Sequence, residues 1–461
     1  MWTFSLLTEL LSLHGLVVAV GLLIFVLASH TLQQRRTPAA AIGWVLTIVF
    51  IPYLGIPLYL LIGRRKLVHF RSYPPLPPRG PDTTTDDAWP RQLAAAMGQP
   101  PAESYQNLHI HSDGGQALQA LWELVDSAER ELILCSFILG RDAVGEALVT
   151  RLIGKAQAGI KVRLLLDGVG RIIGGAPNLR VLESAGVQTA LFVPLLHSPL
   201  KGRTNLRNHR KLVVADGVRL WCGGRNFAAE YFNGTRDRAP WRDLSFDLSG
   251  PLARQAGELF ESDWAFATGA PRPESKPIVQ PAQQPFAQII ASGPDQCDDT
   301  IHALLLTAAF KAKSRIIAAT AYFVPSDALL MALSLAARRG VIVDLVLPGR
   351  SNHRMADLAR HRALRDLADA GARVWFVPYM LHAKGVVFDD ALAMVGSANL
   401  DARSLFLNYE LMVAFYAATD VQRFAAWIEG RRKEAIKYEV HPPGLLRDLT
   451  EGLVLWLAFQ L

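Results

Sequence analysis

Two stretches near the N-terminus, LLSLHGLVVAVGLLIFVLAS (10–29) and AIGWVLTIVFIPYLGIPLYLLI (41–62), carry no Asp, Glu, Lys or Arg. A helix of about 20 apolar residues spans the roughly 30 Å hydrocarbon layer, so the pattern predicts two transmembrane helices within an anchor over residues 1–70. A cleaved leader is disfavoured for the first, because no Lys or Arg precedes residue 35. In the second, Pro52, Gly55 and Pro57 leave a kinked or re-entrant helix open. Arg64, Arg65 and Lys66 outweigh Arg35 and Arg36, which places the main body on the cytoplasmic side by the positive-inside rule.

Beyond this anchor the rhythm changes. A Pro-rich polar linker occupies 71–100, with SYPPLPPRGPDTTTDD at its start. From residue 101, helical-period segments such as ALQALWELVDSAE alternate with short apolar runs such as RELILCSFI. A second Pro-rich linker, 271–285, divides this part into 101–270 and 286–443, and a final apolar segment covers 444–461. AGIKVRLLLDGVG (158–170) resembles RRGVIVDLVLPGR (338–350), and ESAGVQTALFVP (183–194) resembles ADAGARVWFVP (368–378). The expected fold class is therefore α/β: two tandem repeats, each a mixed β-sheet flanked by helices, related by a pseudo-two-fold axis. For the last segment, lying in a membrane interface and docking on the protein core are both open.

Polar residues interrupt this pattern in one recurring place. NHRKLVVADGVRLWCGGRN (208–226) and LHAKGVVFDDALAMVGSAN (381–399) share His209/His382, Lys211/Lys384, Asp216/Asp389, Gly223/Gly396 and Asn226/Asn399, each pair 173 residues apart. A packing requirement has no reason to repeat so many fixed polar positions, so the two stretches are read as one site. In an extended strand residues i and i+2 share a face, which puts each histidine beside its lysine. Gly224 in the first copy stands where the second has Ser397. Asp216 and Asp389, at the motif ends, are expected to make salt bridges or turn hydrogen bonds rather than to transfer protons.

The composition bounds the partner. With 51% hydrophobic residues and a formal charge of +7, the chain suits an anionic partner, either nucleic acid or an acidic lipid surface. Cys135, Cys222 and Cys297 lack the spacing of a disulfide framework or a zinc site. No GxxxxGK[ST] loop occurs, so no nucleotide site is expected.

Two histidines, two lysines and two asparagines pooled across the repeat axis suit a phosphodiester. The ammonium groups and carboxamides can hold non-bridging oxygens and the added charge of a pentacoordinate transition state. One neutral imidazole can attack phosphorus while the other, protonated, supplies a proton to the leaving alkoxide. Each imidazole needs an acceptor on its far nitrogen. Aligning RDLSFDLSG with YELMVAFY places Asp243 opposite Glu410, proposed as acceptors for His209 and His382 respectively.

The doubled His-x-Lys-x4-Asp…Gly-[Gly/Ser]-x-Asn resembles the phospholipase D superfamily. PYLGIPLYLLIGRR, RNHRKLVVADG, YFVPSDALLMALSLAARRGV and GSANLDARSLFLNYE are similar to the bacterial cardiolipin synthases within it. That resemblance implies a covalent phosphatidyl-histidine intermediate and attack by a second phosphatidylglycerol to give cardiolipin and glycerol. It implies no cofactor and no metal, and it favours His209 as nucleophile. Phosphatidylglycerol and other anionic phospholipids are the expected partners rather than nucleic acid, at a bacterial inner membrane, with self-association left open. A phospholipase D or tethered nuclease using the same pocket, another phosphatidyltransferase drawing on phosphatidylethanolamine, and a non-catalytic lipid binder are the competing readings.

Three further features are weaker. The basic insertion before His209, with Lys201, Arg203 and Arg207, either rims an entrance or is a solvated loop. His109 and His111 lack companions at metal-ligand spacing. His353 and His361, among Arg354, Arg360 and Arg362, are expected at the surface or against headgroups.

Overall fold

The computed structural model describes residues 2–31, 38–63, 88–175, 177–194, 205–271, 285–296 and 298–458. Residues 64–87, covering the end of the anchor and over half of the first linker, most of the second linker, 272–284, and the insertion residues 195–204 with Lys201 and Arg203 lie outside the described residues.

Each repeat builds one mixed sheet, and the strand order is the same in both. In the first repeat it runs Gln106–Ile110, Ser245–Ser249, Arg219–Gly223, Leu212–Ala215, Glu131–Ser136, Lys161–Asp167, Gln188–Phe192. The second runs Phe286–Ser292, Glu410–Phe415, Leu392–Gly396, Lys384–Phe388, Arg315–Thr320, Ile342–Pro348, Arg373–Val377, with Glu103–Ser104 and Ile436–Lys437 added at its edges. In each, the last three of these seven pair in parallel through helical crossovers and the others pair antiparallel.

Period-two alternation joins the sheets. Leu212 and Val214 point into a core shared with Val387, Val395 and Phe415 of the other repeat, whereas Val213 and Ala215 point to the first repeat's own helices. Helices Pro251–Thr268 and Ala418–Lys433 complete the shared core through Phe260 and Phe424. The two sheets thus face each other, and the motif strands, third and fourth among the seven of each sheet, lie near its middle.

The N-terminal segment departs from expectation. Among the described residues no helix is long and apolar enough to cross a membrane, which overturns the two transmembrane helices expected over 10–29 and 41–62. The second stretch is divided at Ile51, because Pro52 starts a new helix: Pro38–Phe50 has 13 residues and Pro52–Ile62 has 11. At 1.5 Å per residue neither reaches across roughly 30 Å of hydrocarbon. Helix Trp2–Thr31 and these two pack around Trp44, Ile48 and Tyr59.

At the other end, Leu445–Ala458 is a helix docked on Arg354–Asp369. Glu451, fully buried, accepts from Arg365 at 2.6 Å and from Arg447 at 2.9 Å. Leu445, Leu446 and Leu449 remain exposed.

The motif aspartates close the strand turns. Asp216 accepts from the backbone N–H of Glu129, Arg130 and Glu131 at 2.8–2.9 Å; Asp389 does the same for Lys313, Ser314 and Arg315. Both sit at positive φ, 55° and 51°. Partial burial works to raise their carboxyl pKa values, but the backbone donors outweigh it and hold both below the usual range. Asp389→Ala is expected to lower unfolding free energy by about 1–3 kcal/mol, read from denaturant midpoints. Because the folded carboxyl is depressed, its contribution is present above the unfolded carboxylate pKa and is lost as pH falls through the folded one; Asp389→Asn should remove that part of the acid dependence.

Candidate active site

The two motif histidines lie where the repeats exchange backbone hydrogen bonds. His209 N–H donates to Tyr409 O at 2.9 Å and Tyr409 N–H to Arg207 O at 2.8 Å; His382 N–H donates to Arg242 O at 2.7 Å and Arg242 N–H to Met380 O at 2.9 Å. Tyr409 and Arg242 immediately precede Glu410 and Asp243. Each histidine is therefore registered against the carboxylate of the opposite repeat.

That register settles the partners. His209 Nδ1 lies 3.1 Å from Glu410 Oε1, and His382 Nδ1 lies 2.6 Å from Asp243 Oδ2. Asp243 and Glu410 each lie within hydrogen-bond distance of an imidazole, but the expected pairing, His209–Asp243 and His382–Glu410, is reversed. The alignment of the two strands identified equivalent residues without showing that equivalents cross the axis. An ionised carboxylate only accepts, so each Nδ1 carries the hydrogen; His209 Nε2 is left for chemistry, and His382 Nε2 faces Lys384 Nζ at 3.0 Å.

Secondary contacts fix the carboxylates. Glu410 accepts from Ser397 Oγ at 2.5 Å and Asn408 Nδ2 at 3.2 Å, and Asp243 Oδ1 accepts from Leu244 N–H at 2.7 Å. The Gly224/Ser397 difference follows from side-chain length. A Cβ at Gly224 would collide with Asp243, whereas the longer Glu410 meets a serine hydroxyl. Gly396 is required because a Cβ there would strike Leu411 O, and Gly223 adopts φ 148° against Leu244 O and Ser245.

Lys211 and Lys384 are buried; Lys211 Nζ donates to His209 O at 2.6 Å, and Lys384 Nζ donates to His382 O and lies 3.0 Å from His382 Nε2. Asn226 Oδ1 accepts from Ile138 N–H at 3.3 Å, whereas the buried Asn399 Oδ1 has no hydrogen-bond partner among the described residues.

Electrostatics couple these groups across the repeats. Burial, offset by Glu410 and reinforced by Lys384, depresses Lys211 to about 7; burial depresses Lys384 to about 8 against the pull of Asp243 and Glu410. Burial and then Lys384 hold His382 down at about 3, despite Asp243. His209 is also lowered, by burial first, with Glu410 opposing. Burial works to raise Asp243 and Glu410, but the histidines and lysines outweigh it and keep both below their ordinary values.

A cavity of about 450 Å³ opens onto this cluster. His209, Asn399, Arg207, Arg403 and Asp401 contribute to its polar wall, and Phe137, Val169, Ile173, Val324 and Met355 to its apolar one. Arg207, from the basic insertion, thus reaches the cavity. His353, which also lines it, caps its helix by accepting from Ala356 N–H at 3.3 Å. His361 is half-buried on the same helix. His111 is bound elsewhere, to Asp247 at 2.9 Å and Ser245 at 3.0 Å, and among the described residues no three His, Cys, Asp or Glu groups could hold a metal.

Two buried arginines were missed. Arg210 bonds Asp263, Glu410 O at 3.1 Å and Ser292 O at 3.1 Å; Arg225 bonds Tyr231 O, Asp243 O at 2.7 Å and Ser245 Oγ at 3.0 Å. Each braces the backbone of a histidine-holding carboxylate. Comparing the copies would have revealed them, because Ala383 and Ala398 occupy the equivalent positions.

Residues 121–264 and 305–432 match the family described as "Cardiolipin synthase, PLD-like domain", and 17–64 match "Phospholipase_D-nuclease N-terminal". The chain is 31% identical to cardiolipin synthase A of Pseudomonas entomophila, over 87% of each chain. It is 30% identical to cardiolipin synthase A of Pseudomonas aeruginosa, over 95% of this chain and 93% of the relative. In fold it is similar to the phosphatidylserine synthase of Haemophilus influenzae, with a TM-score of 0.63 at 13% identity over 81% of this chain and all of that one.

An oxyanion should bind best while both lysines carry protons. Sulfate keeps its charge across this range, so its affinity, measured by calorimetry, is expected to fall by about tenfold or more between pH 6 and 9, with the steepest loss near 7–8. A flat profile would contradict the lysine assignment, and Lys211→Met should leave a single remaining step.

Proposed function

The chain belongs to the family of cardiolipin synthases with phospholipase D-like domains, and from that premise we propose that it transfers a phosphatidyl group from one phosphatidylglycerol to another, yielding cardiolipin and glycerol. The observation that carries the reading is the crossed pair of imidazoles, each fixed at Nδ1 by a buried carboxylate and each coupled to the lysine of the other repeat. As a phosphatidyltransferase the chain needs no energy source, because one phosphodiester is exchanged for another.

In the first step His209 Nε2 forms a bond to phosphorus, the bond from phosphorus to the headgroup glycerol oxygen breaks, and His382 gives that oxygen a proton. In the second, His382 takes the proton of an incoming primary hydroxyl, whose oxygen bonds to phosphorus as the phosphorus–nitrogen bond breaks. Lys211, Lys384, Asn226 and Asn399 carry the phosphoryl oxygens. His209 is given the attacking role because it lines the cavity, in keeping with the family resemblance. A second reading exchanges the two roles, favoured by burial holding His382 neutral. The apolar wall suits an acylglycerol and disfavours bulk water, which supports transfer over plain hydrolysis. Lipid substrates place the reaction at a bilayer surface, proposed to be that of the bacterial cytoplasmic membrane.

Lipid chromatography after incubation with phosphatidylglycerol should show cardiolipin with the wild type, and a loss of roughly a hundredfold or more for His209→Ala and His382→Ala. Phosphatidic acid as the sole product would mean hydrolysis. Mass spectrometry of acid-sparing digests should find the phosphatidyl adduct on His209, accumulating in His382→Ala; an adduct on His382 would establish the second reading.

A further inference from the structure

His111 takes no part in the chemistry above, yet it stands at the head of a chain of hydrogen bonds that ends on the residue holding His382. We propose that His111 is a positioning residue for the reaction: with Asp247 it fixes the direction of the chain through Ser245 and Arg225 to Asp243, and so aims His382 at the leaving oxygen. The role rests on the phosphatidyl-transfer reading above, in which His382 supplies the proton.

Donor and acceptor roles run one way along the chain. Arg225 can only donate: Nε to Ser245 Oγ at 3.0 Å, and its terminal nitrogens to Asp243 O at 2.7 Å and to Tyr231 O. Ser245, accepting from Arg225, turns its own hydrogen to His111 Nδ1, 3.0 Å away. Nδ1 is then the acceptor, and the ring hydrogen lies on Nε2, which donates to Asp247 Oδ1 at 2.9 Å. Burial holds His111 below its ordinary pKa against the pull of Asp247, which favours the neutral ring this arrangement needs. His209 and His382 carry the opposite tautomer, with the hydrogen on Nδ1.

The chain has leverage because Arg225 is fully buried and three acceptors fix its plane. Two of them belong to residues around His382. Asp243 holds His382 Nδ1 at 2.6 Å, and the Tyr231 ring meets the imidazole in a T-shaped contact with centroids 5.1 Å apart. The third, Ser245, keeps the guanidinium from turning, and it faces Arg225 with lone pairs while His111 takes its hydrogen. His111 is itself fixed by backbone: its N–H donates to Ser245 O at 3.0 Å, and its O accepts from Trp427 Nε1, on helix Ala418–Lys433 of the other repeat, at 3.0 Å.

Across the pseudo-two-fold axis the same chain cannot form. Ala398 stands at the position of Arg225 (398 − 225 = 173), and Met412 and Ala414 at those of Ser245 and Asp247 (412 − 245 = 167, 414 − 247 = 167). Glu410 O is braced instead by Arg210, which bonds Asp263 directly. The added imidazole therefore serves the histidine that must meet a departing oxygen, while the attacking His209 is held without one.

The test is a single-turnover assay of the full chain, in excess over lipid in detergent micelles. Two donors are compared: phosphatidylglycerol, whose glycerol must be protonated as it leaves, and phosphatidyl-p-nitrophenol, whose nitrophenolate departs as a stable anion. Rate constants are read, so the fraction folded does not enter. His111→Leu keeps the bulk and loses the acceptor; it should slow glycerol release by about tenfold or more and nitrophenolate release by no more than about threefold. Ser245→Ala should behave in the same way. His111→Asn, whose Oδ1 can stand in for Nδ1, should keep both rates within about threefold of wild type, the reverse of the order that a packing role would give. Glycerol release at the wild-type rate in His111→Leu and Ser245→Ala, His111→Asn as slow as His111→Leu, or both leaving groups slowed alike would each overturn the positioning role. Phosphatidic acid as the sole wild-type product would refute transfer and leave this first step, and the test of His111, intact; a wild type that releases no glycerol would overturn both.

Discussion

The structure depends on two crossed contacts, His209 with Glu410 and His382 with Asp243. Both carboxylates are fully buried, and an isolated charge in such a place is costly. Each repeat alone would hold a carboxylate facing nothing and an imidazole free to rotate. Joined, the four groups satisfy one another, and the backbone exchanges at Tyr409 and Arg242 set the distance at which they do so. The shared core under the two sheets supplies the cohesion; the crossed pairs supply the register. This makes the site a property of the duplicated chain rather than of either half.

Symmetry is kept where phosphorus must be flanked and broken around it. Arg210 and Arg225 belong to the first copy alone, and both brace carboxylate backbones, one on each side of the axis. Gly224 and Ser397 differ because Asp243 and Glu410 differ by a methylene in reach. These departures compensate one another: a shorter acid with a glycine, a longer acid with a hydroxyl. Such paired substitutions keep both Nδ1 positions occupied while the surroundings of the two Nε2 atoms diverge.

Much of this was legible because strands advertise their faces. The doubled motif followed from a fixed offset of 173, and Asp243 and Glu410 emerged as counterparts by aligning their strands beyond a loop that changes the offset (410 − 243 = 167). The crossing of the pairs did not, since sequence alignment gives equivalence and not proximity. Arg210 and Arg225 escaped notice because a charged residue between His209 and Lys211, or between Gly224 and Asn226, reads as part of a polar patch, whereas the fold buries both against carbonyls. The prediction for 41–62 erred for a different reason. Hydropathy alone counts residues, but Pro52 ends one helix and opens another, so an apolar stretch of sufficient length becomes two short helices.

Charge balance in the resting site explains how the proton for the leaving group is obtained. With Lys211 and Lys384 protonated and Glu410 and Asp243 ionised, the cluster is neutral when both imidazoles are neutral, which is the state that burial favours. A phosphodiester entering brings one negative charge into the same low-dielectric space. The lysines alone cannot cancel it without losing their balance with the carboxylates, so the anion raises the affinity of an imidazole for a proton. In the proposed mechanism, substrate binding thereby recruits the acid that the first step consumes, and departure of the alcohol leaves behind the neutral base that the second step requires. A site charged in advance would hold product as tightly as substrate; one that charges only on occupancy can release it.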